Sequence, residues 1–316
     1  MIQPWLSVLI PTYNGEAYLG LTLDSIVIQN DPDIECIIVD DRSTDSTRSI
    51  IESYTNRLSI KLLPPSDLGN WSANTNQALN EAKGDYICIL HQDDIWLPDR
   101  LNILKDLSTK HPNTNFFLHP SWFIDSKGEQ LLLWRCPLPD YPALIDADYM
   151  MERLLIQNFI SMPGHMVKRE IVLEVGGLDT TFLYPADWDL WLKISAFGNI
   201  MYYPKPLSEY RLHQGSQTVV ITKRSQDYQE QLDRVLERNL NLWKRDEKTK
   251  TSIRKIALFS IEINTALAGI LHKNKIDFVK LILSFFSLGP FGWHRYLRDS
   301  RIWERFYARF KMGLGR

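Results

Sequence analysis

Gly84-Asp85-Tyr86-Ile87-Cys88-Ile89-Leu90-His91-Gln92-Asp93-Asp94-Ile95-Trp96-Leu97-Pro98-Asp99-Arg100 joins an apolar run directly to a pair of adjacent carboxylates. Tyr86 to Leu90 reads as a buried strand, and Pro98 announces a helix shortly after it. Two aspartates at the end of a buried strand repel each other and lose hydration, a cost best relieved by a divalent cation. Oxygen ligands favour Mg²⁺ or Mn²⁺, and open α/β sheets bind ligands just beyond the carboxyl ends of their strands. A solvated turn whose aspartates cap the next helix is the competing reading of the same two residues.

Working outward, the same arrangement recurs. Leu6 to Ile10 is a short apolar run followed by Pro11-Thr12-Tyr13-Asn14-Gly15, then by an apolar helical face at Leu19, Leu23, Ile26 and Val27. Cys36 to Val39 is a second strand ending in acids, Asp40 and Asp41, with Ser43 or Thr44 expected to cap the helix bearing Ile50, Ile51 and Tyr54. Ile60 to Leu63 is a third strand, with a Ser72-capped helix after it. Strands alternating with helices predict a largely parallel sheet, and right-handed crossovers bring the loops at 11–14, 40–43 and 91–94 to one edge.

The middle of the chain is less regular. Leu101–Leu107 and Asp146–Gln157 read as helices; Phe116–His119, Leu131–Trp134, Ile200–Tyr203 and Leu207–Tyr210 read as strands. Asp187 opens a helix carrying Trp188, Trp191 and Leu192, a spacing that fits core packing better than sugar stacking. Past Thr218 two long amphipathic helices follow, and a boundary is placed near Val220.

The chain has 316 residues, 44% hydrophobic and 23% charged, enough for one large domain and an appendage. A net charge of −2 argues against nucleic acid as the main partner. The start, MIQPWLSVLIP, has no basic region before its strand, so neither a signal peptide nor a membrane anchor is expected there and the expected location is cytoplasmic. Cys36, Cys88 and Cys136 lack metal-ligand spacing and read as buried hydrophobes.

Six ordered segments together resemble the inverting family-2 glycosyltransferases of the GT-A fold. They are SVLIPTYNGEAYL from Ser7, IIVDDRSTDST from Ile37, the stretch from Gly84, VGGLD from Val175, ADWDLWLK from Ala186 and YRLHQGS from Tyr210. The resemblance implies an α/β protein with a mostly parallel Rossmann-like sheet flanked by helices. It implies a catalytic domain over residues 1–220, leaving 221–316 as a helical C-terminal extension. It also implies a nucleoside-diphosphate sugar as donor, with Pro11, Thr12, Tyr13 and Asn14 near base and ribose, Asp40 accepting from the base, and Asp41 and Ser43 supporting that loop.

By the same resemblance, Asp93 ligates Mn²⁺ or Mg²⁺ with Asp94 assisting, and His213 approaches the metal or diphosphate, with Arg211 beside it. A surface loop at a strand end is the other reading of Arg211 and His213. His91 stands where the family often has Asp, a departure that bears on ribose and metal contacts. Asp187 is the implied general base, removing a proton from the acceptor hydroxyl; a helix cap is its plainer alternative. Ala186 replaces the family's usual glutamate. The Gln-x-x-Arg-Trp signature of processive enzymes is absent, which points to one sugar added to a glycan or lipid-linked saccharide in cell-surface polysaccharide synthesis. An inactive nucleotide-sugar-binding scaffold is the alternative; a Rossmann oxidoreductase lacks its Gly-x-Gly-x-x-Gly.

Leu281 to Trp293 is an uncharged run of 13 residues containing Gly289 and Pro290, too short and too interrupted to span a bilayer. Farther on, Trp303, Phe306, Tyr307, Phe310 and Leu314 share one helical face, and Arg301, Arg305 and Arg309 the opposite one. Two readings stay open: peripheral contact with the inner face of an anionic membrane, or packing of the apolar face on protein with the arginines solvated.

Overall fold

A computed structural model of the chain describes residues 3–213, 215–216, 225–271 and 277–314. The boundary expected near Val220 lies outside these residues, as do the side chains of Arg309, Phe310 and Leu314.

The first half alternates as the pattern requires: β1 (Leu6–Thr12), α1 (Leu19–Val27), β2 (Ile34–Asp40), α2 (Thr47–Ser53), β3 (Ile60–Leu63), α3 (Trp71–Glu81) and β4 (Tyr86–Ile89). After β4 come β5 (Ile95–Trp96), α4 (Arg100–Lys110), β6 (Phe116–Leu118), β7 (Ser121–Ile124), β8 (Gln130–Trp134) and β9 (Ala143–Ile145). Next are α5 (Ala147–Ile156), a 3-10 turn (Met162–Gly164), β10 (His165–Lys168), α6 (Arg169–Glu174), α7 (Ala186–Ser195), β11 (Ile200–Tyr202) and β12 (Ser208–Arg211). Among the described residues five more helices follow: α8 (Ser225–Leu242), α9 (Glu247–Leu271), α10 (Phe278–Ser287), α11 (Gly289–Ser300) and α12 (Ile302–Leu314).

Eight strands form the main sheet in the order β3-β2-β1-β4-β10-β6-β11-β9. β3, β2, β1 and β4 are parallel, whereas β10 runs antiparallel to β4 and β6, and β9 antiparallel to β11. A second sheet, β5-β12-β7-β8, carries the residues after Leu90 toward Arg211. Side chains alternate across the main sheet, as a two-residue period dictates. Val8, Ile10, Cys36, Ile38, Cys88 and Leu90 pack with α1 and α4; Leu9, Ile37, Val39, Ile87 and Ile89 pack with α3, α5, α7 and the C-terminal helices. Both faces are covered, which explains why the central strands read as unbroken apolar runs.

Gly84 has a steric reason to be glycine: a Cβ there would sit 2.6 Å from the Ser7 nitrogen and 2.7 Å from the Leu6 carbonyl carbon. The three cysteines are buried and free, and Trp188 and Trp191 lie in the core. Two expected caps differ. Asn70, not Ser72, caps α3 by accepting from Ala73 N at 2.8 Å. Helix α2 starts only at Thr47, because Ser43 is held back against Asp40.

Candidate active site

The parallel register sets Thr12 beside Asp40 and carries β4 alongside β1, so three strand ends meet at one edge. Their loops are stitched to one another. Asn14 adopts a left-handed backbone at φ 44°, a conformation Asn tolerates better than most residues. Its N–H donates to Ser43 Oγ at 2.9 Å, while its side-chain oxygen accepts from Thr44 N at 2.9 Å. Gln92 clamps the Tyr13 backbone at both ends, accepting its N–H at 2.8 Å and donating to its carbonyl at 2.9 Å. A Cβ on Gly15 would fall 2.4 Å from Gln92 Oε1, so this clamp needs the glycine.

The two acids after β2 have different surroundings. Asp40 is fully buried and its oxygens accept from Thr12, Ser43 and Arg48. Asp41 faces the cleft together with Pro11, Thr12, Tyr13 and Asn14. Of the two carboxylates Asp41 is the one that lines the cleft, while Asp40 is bonded within the loop together with Ser43.

Beyond β4, His91, Asp93 and Asp94 each offer a ligand atom within 4.8 Å of the others. Asp94 is buried; its Oδ1 accepts from Arg211 N at 3.0 Å, and Oδ2 has no hydrogen-bond partner. Burial first, and then the charge of Asp93, push the Asp94 carboxyl well above the usual carboxylate range. A cation would relieve both effects. The buried His91 Nε2 also lacks a partner, and burial lowers the His91 pKa, favouring the neutral imidazole that a metal requires. The donor set therefore fits a divalent ion, with the His91 nitrogen where the family often has an Asp oxygen. His213 stands next to this group, its Nε2 2.8 Å from Asp93 Oδ2.

Arg211 lies beside His213, behind the loop that carries Asp93. Its guanidinium is buried and donates to the carbonyls of Asp93 at 2.9 Å and Asp125 at 3.0 Å, with the Tyr18 ring 4.7 Å away. Those bonds tie it to the metal-side loop, while its second terminal nitrogen, also buried, has no hydrogen-bond partner among the described residues.

Asp187 lies in the first turn of α7, after the N-cap position at Pro185, so it does not cap the helix. Its Oδ1 accepts from Trp188 N at 2.7 Å and its Oδ2 from Asn158 Nδ2 at 3.0 Å. Burial pushes its pKa up to about 6, against the pull of those two donors and of the Arg305 charge. A carboxylate so poised accepts a proton near neutral pH.

One cleft of about 1100 Å³ holds Asp41, His91, Asp93, His213 and Asp187 together. Its wall also includes Tyr228 and Leu232 of α8, Ser260 and Asn264 of α9, and Arg305 of α12. Gln92, Asn158 and Arg305 were not foreseen as site residues. Arg305 had a signal, its place in a helical arginine stripe, but the stripe gave no partner; Gln92 and Asn158 act through lone side-chain amides that carry no periodic signal.

The model for glycosyl transferase family 2 matches residues 7–175, just over half of the chain. The chain belongs to this family and is a glycosyltransferase. An uncharacterised glycosyltransferase of Rickettsia prowazekii is 25% identical over 235 residues, covering 72% of this chain and 70% of the relative. One from Haemophilus influenzae is 28% identical over 191 residues, covering 60% and 61%. Among solved structures, S. aureus TarS 1–349 in complex with UDP-GlcNAc superposes with a TM-score of 0.70 at 18% identity, over 98% of this chain and 92% of that one. The mannosyltransferase PcManGT from Pyrobaculum calidifontis, in complex with GDP-Man and Mn²⁺, gives 0.57 at 16% identity, over 99% and 88%. These likenesses establish the GT-A fold, in which the sheet edge described above faces the cleft.

Proposed function

We propose that the protein transfers one sugar from a nucleoside-diphosphate sugar to a hydroxyl of a glycan or lipid-linked saccharide, with inversion, in cell-surface polysaccharide synthesis. The observation that carries this reading is a single cleft holding both a carboxylate–imidazole cluster and a separate carboxylate, Asp187, with its pKa raised to about 6. Pro11, Thr12, Tyr13, Asn14 and Asp41 receive the nucleoside, with Asp40 and Ser43 fixing their loop. His91, Asp93 and Asp94 hold the divalent ion, and His213 orients Asp93. When bound, the ion supplies charge neutralisation for the departing diphosphate. Asp187 takes the proton of the attacking hydroxyl as the new glycosidic bond forms, and its raised pKa makes it a stronger base while leaving it ionised at neutral pH.

The imidazole of His91 favours Mn²⁺ over Mg²⁺, because Mg²⁺ prefers an all-oxygen shell. A thermal-shift panel of UDP- and GDP-sugars with Mn²⁺, Mg²⁺ or a chelator tests donor and metal without needing an acceptor. Ligand at a hundred times its dissociation constant adds about 2.7 kcal/mol to the native state, a rise of several degrees. We expect the shift with Mn²⁺, its loss in Asp93→Ala, and a turn toward Mg²⁺ in His91→Asp. No nucleotide-dependent shift in the wild type would overturn the donor assignment.

A cytoplasmic location with peripheral membrane contact is part of the same proposal. No described helix is long and apolar enough to cross a membrane. At α12 the orientation is the reverse of solvated arginines: Arg301, just before the helix, pairs with Glu304 and Arg305 enters the cleft, while Trp303 is 71% exposed. Helix α10 turns Phe278, Val279, Ile282, Leu283 and Phe286 outward, the pattern of a helix lying in a bilayer interface. Flotation with anionic liposomes should carry the wild type upward and leave an Ile282→Glu/Phe286→Glu variant at the bottom.

A further inference from the structure

The last helix reaches the candidate base. α12 is fixed at the end of β8 by Glu304, whose Oε2 accepts from the N–H of Arg135, the residue after the strand, at 3.0 Å and whose Oε1 lies 3.5 Å from the Arg135 guanidinium and 3.1 Å from that of Arg301. This anchoring sets the next residue, Arg305, into the cleft. Its guanidinium stands 5.2 Å from the ring centroid of Trp134, which is itself stacked on Phe123 at 4.8 Å. It donates to the carbonyl of Asn158. Asn158 in turn donates through Nδ2 to Asp187 Oδ2 at 3.0 Å, and its Oδ1 accepts from Ile160 N at 3.2 Å. A residue from the far end of the chain thus holds the backbone of the residue that holds the carboxylate.

We propose that Arg305 is a positioning residue for Asp187, making α12 a working part of the active site rather than an appendage. The proposal rests on the reading of Asp187 as the general base. Geometry gives Arg305 two routes of action. Through Asn158 it fixes the direction of Oδ2, and a carboxylate turned away from the acceptor loses much of its value as a base. Through its charge it opposes the effect of burial. The charged and titratable groups lining the cleft include Arg42, Asp41, His91, Asp93, His213 and Arg305; of these, Arg305 exerts the largest charge effect on Asp187. Lysine at this position keeps the charge but loses the planar fork that spans Trp134 and the Asn158 carbonyl.

The test uses the full chain labelled with carboxyl-¹³C aspartate, comparing wild type, Arg305→Lys, Arg305→Gln and Asp187→Asn; the last identifies the Asp187 resonance. We expect the Asp187 titration midpoint to rise in Arg305→Gln and to lie between the two in Arg305→Lys. We also expect release of nucleoside diphosphate from the donor sugar to fall about tenfold in Arg305→Gln, with donor affinity unchanged and part of the rate restored by Arg305→Lys. An Asp187 titration identical in wild type and Arg305→Gln would overturn the proposal. If Asp187→Asn instead keeps full turnover while the titration still shifts, the base assignment fails and the coupling of Arg305 to Asp187 stands.

Discussion

At the scale of single residues, two carboxylates separate chemistry from stability. Asp187 has a folded pKa of about 6, above the ordinary value of about 3.9 for an aspartate in an unfolded chain. The folded state therefore holds this proton more tightly, so the carboxylate destabilises the fold increasingly as pH rises from about 4 to 6, and fully above that. Asp187→Asn should raise Tm at pH 7.5 but not at pH 4, while lowering kcat about 10²–10⁴-fold and leaving donor affinity intact. In the wild type kcat/KM should rise through about pH 6, and that limb should vanish in the variant; calorimetry and a pH–rate profile check both. Asp40 and Asp41 should divide the opposite way. Asp40→Ala strands the groups that Thr12, Ser43 and Arg48 present to it and should cost about 1–3 kcal/mol. Asp41→Ala should weaken nucleotide binding with little change in Tm. Asp93 and Asp187 stood out in the sequence because one ends an apolar strand and the other opens an apolar-faced helix, each within a recognisable motif. The different surroundings of Asp40 and Asp41 were not, since adjacent identical letters reveal nothing about which carboxyl turns inward.

At the scale of elements, the edge where β1, β2 and β4 end works because its loops share hydrogen bonds rather than because each loop is rigid alone. Gln92 is the clearest case, holding both backbone groups of Tyr13 across the strand ends. Gly15→Ala drives a methyl into that amide, so Gln92 must swing away and release the Tyr13 loop. Isothermal titration should find nucleotide affinity reduced about tenfold, with Tm lower by only a few degrees; unchanged affinity would mean the loop is held without Gln92, by Ser43 Oγ on Asn14 N and by Thr47 Oγ1, which accepts from Gly15 N at 2.7 Å. The long elements were readable from period alone. The two-residue β5 and three-residue β9 were not, since so few residues set no period, and Leu144 of β9 points to solvent at the sheet edge. The start of α2 was misplaced for a chemical reason: Ser43 has the residue type of a cap, but Asp40 claims its hydroxyl.

At the scale of the whole molecule, the C-terminal helices and the sheet share one apolar core. Tyr228, Leu232, Val235, Ile253 and Ile256 belong to the same cluster as Leu9, Met150, Trp188 and Trp191. Buried charge reinforces the junction. Asp189 of α7 is fully buried and meets Arg238 of α8 at 2.7 Å, while Arg238 also donates to Asp179 at 2.8 Å. Asp299 of α11, also fully buried, faces Arg298 at 2.6 Å, Arg295 at 3.6 Å and the buried Arg153 of α5 at 3.9 Å. The sequence marked these helices as amphipathic but not what their apolar faces met, because periodicity defines a face and not its partner. With a shared core, heating should unfold the chain in a single calorimetric transition. Asp299→Asn retains the shape but leaves Arg153 without its neutralising charge in a buried position, an arrangement that typically costs about 3–5 kcal/mol. The expected result is a Tm lower by several degrees with the transition still single. Two separated transitions, the lower one alone moved by Asp299→Asn, would mean that the sheet and the helical extension fold as independent units and that the shared cluster is an interface rather than a core.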